Sequence, residues 1–257
     1  MTSPAHFAQS LDSSARAGML RRSPPAAPSG TPRIAETLAL LAAALTPQRR
    51  IVHAGETIYQ VGAAFTHLHV LNTGIVKIVN LTPDGREQMV ALKLRGDWLG
   101  LDGIGQGHYG GDAIAIDTSE VWSFRYDELL AASAHEPALL RLLHEAMSRA
   151  IARDREALMS ICTLSADARV AEFLHRWADA LDCRGLRNDR ITLRMTRAEI
   201  GNHLGMTLES VSRALSRLAR ERLIGFAEKG RREVRIPDVA ALGGFVQRSL
   251  SPAPLLQ

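Results

Sequence analysis

The chain has 257 residues, of which 46% are hydrophobic and 23% charged, a balance typical of a globular protein with one large or two modest domains. No apolar run approaches the ~20 residues that a membrane span requires. The N-terminus has no basic stretch followed by an apolar segment, so secretion is not expected. Two cysteines, Cys162 and Cys183, are too few for a disulfide framework or an all-cysteine metal site, and we expect a cytoplasmic protein.

The net charge of +4 is unevenly distributed along the chain. Residues 50–135 contain 6 Lys/Arg against 10 Asp/Glu, a net charge of −4, whereas residues 184–235 contain 13 against 6, a net charge of +7. Positive charge concentrated in one segment is typical of a module that binds phosphates. We therefore expect a partner that carries phosphates, of which double-stranded DNA is one.

The first half of the chain divides into a tail and a β domain. Residues 1–32 are rich in Ala, Ser and Pro and are predicted to be a disordered tail, followed by a short helix over Pro32 to Leu45. Residues 33–134 then show short alternating apolar segments separated by glycines, which predicts a small β jelly-roll with a hairpin turn at Pro83–Gly85. The expected strands include Thr57–Tyr59, His67–Leu71, Ile75–Val79 and Gln88–Leu92.

Residues 135–164 are predicted to form one long helix that begins at Pro137. One side of it has the 4-3-4-3 spacing of a heptad repeat, which favours pairing with a second copy of the chain. The alternative is that this helix packs on its own barrel. The seam comprises Leu140, His144, Met147, Ile151, Asp154, Leu158 and Ile161.

Residues 165–245 are predicted to form a winged helix-turn-helix, followed by a tail over 246–257. Thr196 and Glu199 have the spacing of a capping box, Gly205 ends that helix, and Thr207 caps a second one. A β-hairpin wing is expected over Ile224–Ile236, with the basic run Lys229-Gly230-Arg231-Arg232 inside it.

The second of these helices carries polar residues on one face. Glu209, Ser212 and Arg213 lie at i, i+3 and i+4, and Arg217 follows at i+8. Arginine can pair bidentately with guanine and glutamate accepts from cytosine, so this face suits the reading of base edges. The alternative is a solvated face with a Glu–Arg pair, which the caps, the turn and the wing together disfavour.

These motifs resemble the Crp/Fnr family of bacterial transcription regulators, and the Fnr branch most. The resemblance covers residues 50–239 and rests on Gly96–Gly105, Met195–Gly205 and the run Glu209-Ser210-Val211-Ser212-Arg213. It implies an α+β fold with a cyclic-nucleotide-binding-like jelly-roll, a long dimerisation helix and a C-terminal winged helix-turn-helix.

The resemblance also implies a function. It implies homodimers on a TTGAT-N4-ATCAA-like palindrome, with Arg213 on guanine, Glu209 on the paired cytosine side and Ser212 near thymine. It further implies recruitment of RNA polymerase at respiratory or low-oxygen genes. The candidate DNA contacts are Glu209, Ser212, Arg213, Thr196, Thr207 and Arg217. The candidate polymerase contacts are Thr82, Asp84, Gly85 and Arg86, for which the alternative is an ordinary exposed turn.

The chain departs from the family at the positions that bind effectors. Fnr holds a four-iron cluster on cysteines of its N-terminal tail and one of the barrel, but this tail has no cysteine and Trp122 stands at the barrel position. The Arg-Ser pair that binds cyclic phosphate is replaced by the segment His108–Asp112, and a carboxylate there disfavours a phosphate. We expect neither a four-iron cluster nor cAMP. His67 and His69 share a strand face but lack a third ligand, so no metal site is predicted.

Two questions stay open from the sequence. Asp154 in the heptad seam would bring two carboxylates together in a dimer, which weakens association unless Arg153 and Arg155 neutralise them or a signal tightens the dimer. The other reading of the chain is a haem- or ligand-gated sensor whose DNA binding is conditional. The chain has no Ser/His/Asp order, P-loop or zinc signature, so we do not expect an enzyme.

Overall fold

The computed structural model describes residues 30–82, 85–227 and 232–250. In its N-terminal part, two four-stranded antiparallel sheets, ordered β1-β8-β3-β6 and β2-β7-β4-β5, form the predicted jelly-roll. The four strands expected from the sequence are present, each equal to or longer than predicted. The elements are α1 (Gly30–Ala44), β1 (Gln48–Val52), β2 (Thr57–Tyr59), β3 (His67–Thr73), β4 (Ile75–Leu81), β5 (Glu87–Leu94), β6 (Trp98–Leu99), α2 (Gly103–Gln106), β7 (Asp112–Ala115), β8 (Ser119–Arg125) and α3 (Tyr126–Ser133).

The long helix α4 (Pro137–Thr163) packs on the barrel with one face and exposes another. Leu139, Leu143 and Ala146 are buried in the core between α4 and the barrel. The heptad seam lies beside this face and stays accessible, with Ile151 50% and Leu158 62% exposed. Packing on the barrel and a free seam are therefore compatible, because they use different residues.

The C-terminal part is a winged helix-turn-helix. Its core is apolar and centred on α5, against which both α7 and α8 pack. The helix α8 continues to Leu250, with Val246 buried, so the folded region extends beyond residue 245, where the sequence placed the start of a tail. The elements are α5 (Ala166–Asp182), β9 (Arg190–Thr192), α6 (Arg197–Leu204), α7 (Leu208–Arg220), β10 (Gly225–Phe226), β11 (Glu233–Arg235) and α8 (Val239–Leu250).

One buried carboxylate connects all three parts of the chain. Asp97, in the turn between β5 and β6, accepts from both terminal nitrogens of Arg153 on α4 at 3.0 Å and from the Leu94 amide at 2.9 Å. Arg184, which follows α5, lies 3.5 Å away and also donates to the Arg95 carbonyl at 2.8 Å. Burial opposes ionisation of Asp97, but the two arginines outweigh it and hold its pKa below the usual value.

This contact decides part of the question about Asp154. Both terminal nitrogens of Arg153 donate to Asp97, so its guanidinium is already paired within the protomer. Asp154 and Arg155 are both exposed on α4, so Arg155 is the neighbouring cation that remains.

Within the described ranges, no helix is both long and apolar enough to cross a bilayer.

His69, one of the two histidines considered from the sequence as a metal pair, is buried inside the barrel. Its Nδ1 lies 2.8 Å from the Ser123 hydroxyl and its Nε2 lies 3.3 Å from the Tyr109 hydroxyl, so protein groups engage both ring nitrogens of His69. His67 stands beside it with ring centroids 6.3 Å apart. Among the described residues, no group of three His, Cys, Asp or Glu side chains could hold a metal.

His69 predicts a loss of stability in mild acid. Burial first, and then the charges of His67 and Arg50, lower its pKa to about 3. The unfolded chain binds a proton at His69 near pH 6.5, whereas the folded chain binds it only near pH 3. The folded state therefore keeps its full stability above pH 6.5 and loses stability as the pH falls toward 3. At about pH 5 the cost is about 2 kcal/mol of unfolding free energy.

Urea unfolding at about pH 7.5 and about pH 5 measures this cost, with His69→Gln as the control because glutamine carries no titrating group. The variant should lose about 2 kcal/mol less than the wild type between the two pH values. Equal losses in both proteins would contradict the assignment.

Candidate nucleic-acid interface

The helix-turn-helix forms because its turn residues meet specific backbone requirements. The Thr196 hydroxyl accepts from the Glu199 amide at 3.1 Å while the Glu199 carboxylate accepts from the Thr196 amide at 2.8 Å, which is the predicted capping box. Gly205 ends α6 with a φ of +64°, as predicted. A side chain at Gly201 would place its Cβ 2.6 Å from the Met206 carbonyl, so only glycine permits the close return of the chain.

Helix α7 presents a polar face to solvent and buries the opposite face. Thr207 caps it by accepting from the Ser210 amide at 3.2 Å. Its buried residues are Val211, Ala214, Leu215 and Leu218. Glu209 and Arg213 are exposed and Ser212 is half-buried, so the three predicted reading residues lie on or beside the solvent face.

Two further residues of this face were not predicted from the sequence. Ser216 and Arg220 are exposed and follow Glu209 at i+7 and i+11, which places them on the same side of the helix. The apolar periodicity of α7 could have revealed them, because residues on the side of the helix opposite its buried residues are exposed. Glu209, Arg213, Ser216 and Arg220 together form what we call the reading face.

Arg217 differs from its neighbours because another helix holds its side chain. Its Nε donates to Asp167 Oδ2 at 2.6 Å, and its Nη2 donates to the other carboxylate oxygen. Asp167 lies in the first turn of α5, fifty residues earlier in the chain. The structure therefore places Arg217, which the sequence predicted as a DNA contact, in an intramolecular ion pair at the edge of the reading face.

The carboxylate of Glu209 is suited to accept hydrogen bonds at neutral pH. Its own backbone amide first, then the Thr207 hydroxyl and the Arg213 charge, lower its pKa below the usual value. An ionised carboxylate accepts from an amino group such as cytosine N4 but repels phosphate. Its presence in a basic module favours base reading over general anion binding.

The wing consists of a three-stranded sheet ordered β10-β11-β9. Its first strand, β9, was not predicted, because three residues between charged neighbours give no clear alternation. Of the predicted basic run, Lys229, Gly230 and Arg231 lie outside the described residues, and Arg232 is exposed.

The first helix of the helix-turn-helix docks on the edge strand of the barrel. Asn202 clasps β5, since its Oδ1 accepts from the Met89 amide at 2.5 Å and its Nδ2 donates to the Glu87 carbonyl at 2.6 Å. Lys77 on β4 forms an ion pair with Glu199 at 2.7 Å. Met89 itself is buried in the core of the winged helix. These contacts fix the orientation of α6, and hence of the reading face, relative to the barrel.

The segment that would hold a cyclic phosphate carries carboxylates in its place. Asp102 Oδ2 accepts from the Gly110 amide at 2.8 Å, and Asp112 Oδ1 accepts from the Val61 amide at 2.6 Å. The amides of Gly110 and Val61 are thus already bonded to carboxylates of this chain. The arrangement does not fit a cyclic nucleotide phosphate, which requires cationic or free donor groups.

The resemblance to the Fnr branch places Trp122 at the barrel position of the cluster cysteine. Its ring is buried on the barrel and its Nε1 donates to Glu120 at 2.8 Å, while the Arg49 guanidinium stacks on it at 4.5 Å. An indole has no ligand for iron, and so this position does not fit a cluster. Cys162 and Cys183 are both exposed, on α4 and directly after α5.

Taken together, the fold and the reading face define a winged-helix DNA-binding protein that carries a cyclic-nucleotide-binding-like barrel. Comparison with known proteins agrees. Residues 49–136 match the model of the cyclic nucleotide-binding domain, and residues 168–245 match the Crp-like helix-turn-helix domain.

Individual relatives match over most of their length. The transcriptional regulatory protein btr of Bordetella pertussis is 33% identical over 198 residues, covering 77% of this chain and 81% of the relative. The fumarate and nitrate reduction regulatory protein of Escherichia coli is 30% identical over 184 residues, covering 72% and 73%. The solved structure of FixK2 from Bradyrhizobium japonicum superposes with a TM-score of 0.69 at 27% identity, covering 81% and 99%.

The chain therefore belongs to the Crp/Fnr family. It is a DNA-binding transcription regulator and not an enzyme.

The clasp on β5 predicts a measurable interdomain contribution to stability. Asn202→Ala removes two hydrogen bonds to the edge strand and leaves the Met89 amide without its partner, which should lower the free energy of unfolding by about 1–3 kcal/mol. Asn188→Ala is the matched control, because Asn188 bonds within its own domain, to Asp182. Urea unfolding measures both variants, and equal effects would show that the docked contact contributes nothing specific.

Proposed function

We propose that this regulator acts as a homodimer on a TTGAT-N4-ATCAA-like palindrome. The observation that carries the proposal is the reading face, on which an ionised glutamate and an arginine stand one helical turn apart with their side chains exposed. Arg213 would pair with guanine, Glu209 would accept from the cytosine side, and Ser212 would lie near thymine. Thr196 and Thr207, at the N-termini of α6 and α7, would lie at the phosphate backbone.

The free seam of α4 supports the dimer. Its exposed apolar residues would lose contact with water against the same residues of a second copy, and two-fold symmetry matches a palindromic site. The exposed seam residues include Leu140, Ile151, Leu158 and Ile161. His144 and Asp154 are exposed on the same side, and Met147 is half-buried there.

We further propose that the bound dimer recruits RNA polymerase through the β4–β5 hairpin. Its base is closed by a bond of 2.9 Å from the Thr82 amide to the Arg86 carbonyl and one of 2.8 Å from the Gly85 amide to the Thr82 carbonyl, and Asp84 lies outside the described residues. Gly85 and Arg86 are exposed, which leaves these two residues accessible to a partner.

The proposed target genes and the proposed location have separate supports. The Escherichia coli relative is named for fumarate and nitrate reduction, which supports respiratory or low-oxygen genes as targets. DNA binding requires the compartment that contains the chromosome, and hence the cytoplasm of a bacterium. We propose no resident cofactor, since the barrel does not fit a cyclic phosphate or a cluster.

Base reading is tested by removing one arginine from each reading face. Arg213→Ala should weaken binding to the palindrome by about 1–3 kcal/mol per half-site and leave binding to a scrambled duplex nearly unchanged, because a base contact adds only to the cognate sequence. Arg248→Ala removes the same charge from α8 and is the control. Fluorescence anisotropy of the ligand-free protein at fixed salt measures all three proteins.

Equal wild-type binding to both duplexes would contradict the proposed site. That result would favour the reading in which haem or another ligand must first act on the barrel.

Asp154 provides the test of the dimer. Asp154→Ala should raise the dimer fraction several-fold at low micromolar concentration, because two exposed carboxylates facing each other across the seam weaken association. Glu156→Ala is the charge-matched control, as Glu156 lies off the seam beside Arg176. Sedimentation velocity gives the fractions, and an unchanged fraction in Asp154→Ala would refute this role.

A further inference from the structure

The ion pair between α7 and α5 removes one arginine from the surface that faces DNA. Arg217 follows Arg213 by about one helical turn, so its side chain starts within reach of the phosphates that flank a groove occupied by the reading face. Asp167 nevertheless binds both its Nε and its Nη2. Two parallel bonds hold the planar guanidinium in one orientation.

The Asp167–Arg217 pair has two hydrogen bonds although it is partly open to solvent. The Asp167 side chain is 26% exposed and that of Arg217 43%, so neither charge is buried without a partner. Asp167 also lies in the first turn of α5, where a carboxylate interacts favourably with the helix dipole and is held in position. The Asp167 carboxylate, held in a fixed position, therefore competes with any DNA phosphate for the Arg217 guanidinium.

We propose that Asp167 limits the sequence-independent part of the DNA affinity by holding Arg217 away from the phosphate backbone. The inference rests on the proposed function only in taking α7 as the helix that lies on DNA. In this role Asp167 is a positioning residue that acts through Arg217. It sets how strongly the protein binds any duplex, while Glu209, Ser212 and Arg213 set which duplex is preferred.

The physical reason is counterion release. Each phosphate that a protein neutralises makes the slope of log affinity against log salt steeper by about 0.9. A chromosome offers a very large number of non-specific sites, so one additional phosphate contact in each protomer retains more protein away from its target. Holding back one arginine lowers that retention without changing base reading.

The experiment uses the full-length protein and both the palindromic and the scrambled duplex over a range of salt concentrations. Asp167→Ala frees Arg217, and Asp167→Asn retains one acceptor and should give a smaller change. The double variant Asp167→Ala with Arg217→Gln removes the freed charge. Thermal melting first establishes that each variant is folded at the temperature of the binding assay.

A matched control comes from a second bidentate pair in the same half of the chain. Arg187 donates to Asp189 at 2.8 Å in the segment after α5, whose last residue lies about 22 Å along the helix axis from Asp167. Asp189→Ala changes the net charge by the same +1 and frees an arginine that is not on α7. It should leave the salt slope close to that of the wild type.

We expect Asp167→Ala to bind the scrambled duplex roughly three- to tenfold more tightly, with a salt slope steeper by about 2 for the two protomers. The double variant should lose this gain. Weaker or unchanged binding by Asp167→Ala, with an unchanged slope, would show that the pair is merely structural. A gain that persists in the double variant would show that the carboxylate itself repels DNA, and either result overturns the proposal.

The two proposals fail separately. If the wild type shows no preference for the palindrome while Asp167→Ala still steepens the slope, the proposed recognition sequence is wrong and the role of Asp167 stands. If the preference is present and the slope does not change, the proposed role of Asp167 is wrong and the proposed recognition sequence stands.

Discussion

The arrangement of this regulator depends on a buried carboxylate that must be neutralised by groups from two other parts of the chain. Asp97 lies in the barrel, and the arginines that keep it ionised come from α4 and from the loop after α5. Removing either arginine would leave a buried charge with incomplete compensation, which is far more costly than losing a surface pair. This electrostatic requirement therefore helps to hold the barrel, the long helix and the winged helix in one relative arrangement, together with the contacts of Asn202 and Lys77.

That arrangement has a direct consequence for DNA recognition. The Asn202 clasp and the Lys77–Glu199 pair fix α6 on the β5 edge, and the short turn at Gly205 then fixes α7 relative to α6. In a dimer formed through the free seam of α4, the separation of the two reading faces would follow from these contacts within each protomer. Thus α7 would set the specific base contacts, and Asp167 would restrain the phosphate contacts. The contacts between α6 and the barrel would set the half-site spacing.

The fold was largely predictable, because its signals are local. The capping box at Thr196 and the glycine at 205 determine turns within a few residues of themselves, and the helices predicted there are confirmed. The partners of Asp97 and Arg217 were not predictable, because each pair joins residues about fifty or more positions apart and no periodicity connects them. The spacing of Arg217 assigned it to one polar face with Glu209 and Arg213, yet only the packing of α5 on α7 reveals the carboxylate that holds it.

The spacer dependence of DNA binding tests the central claim most directly. If the contacts within each protomer hold the two reading faces at a fixed separation, binding should be tightest for a spacer of four base pairs. Adding or removing one base pair shifts a half-site by about 3.4 Å and rotates it by roughly 35°, which should lower the affinity of the wild-type protein at least tenfold. Equal affinity for spacers of three, four and five base pairs would show that the reading faces move independently, and would contradict the account.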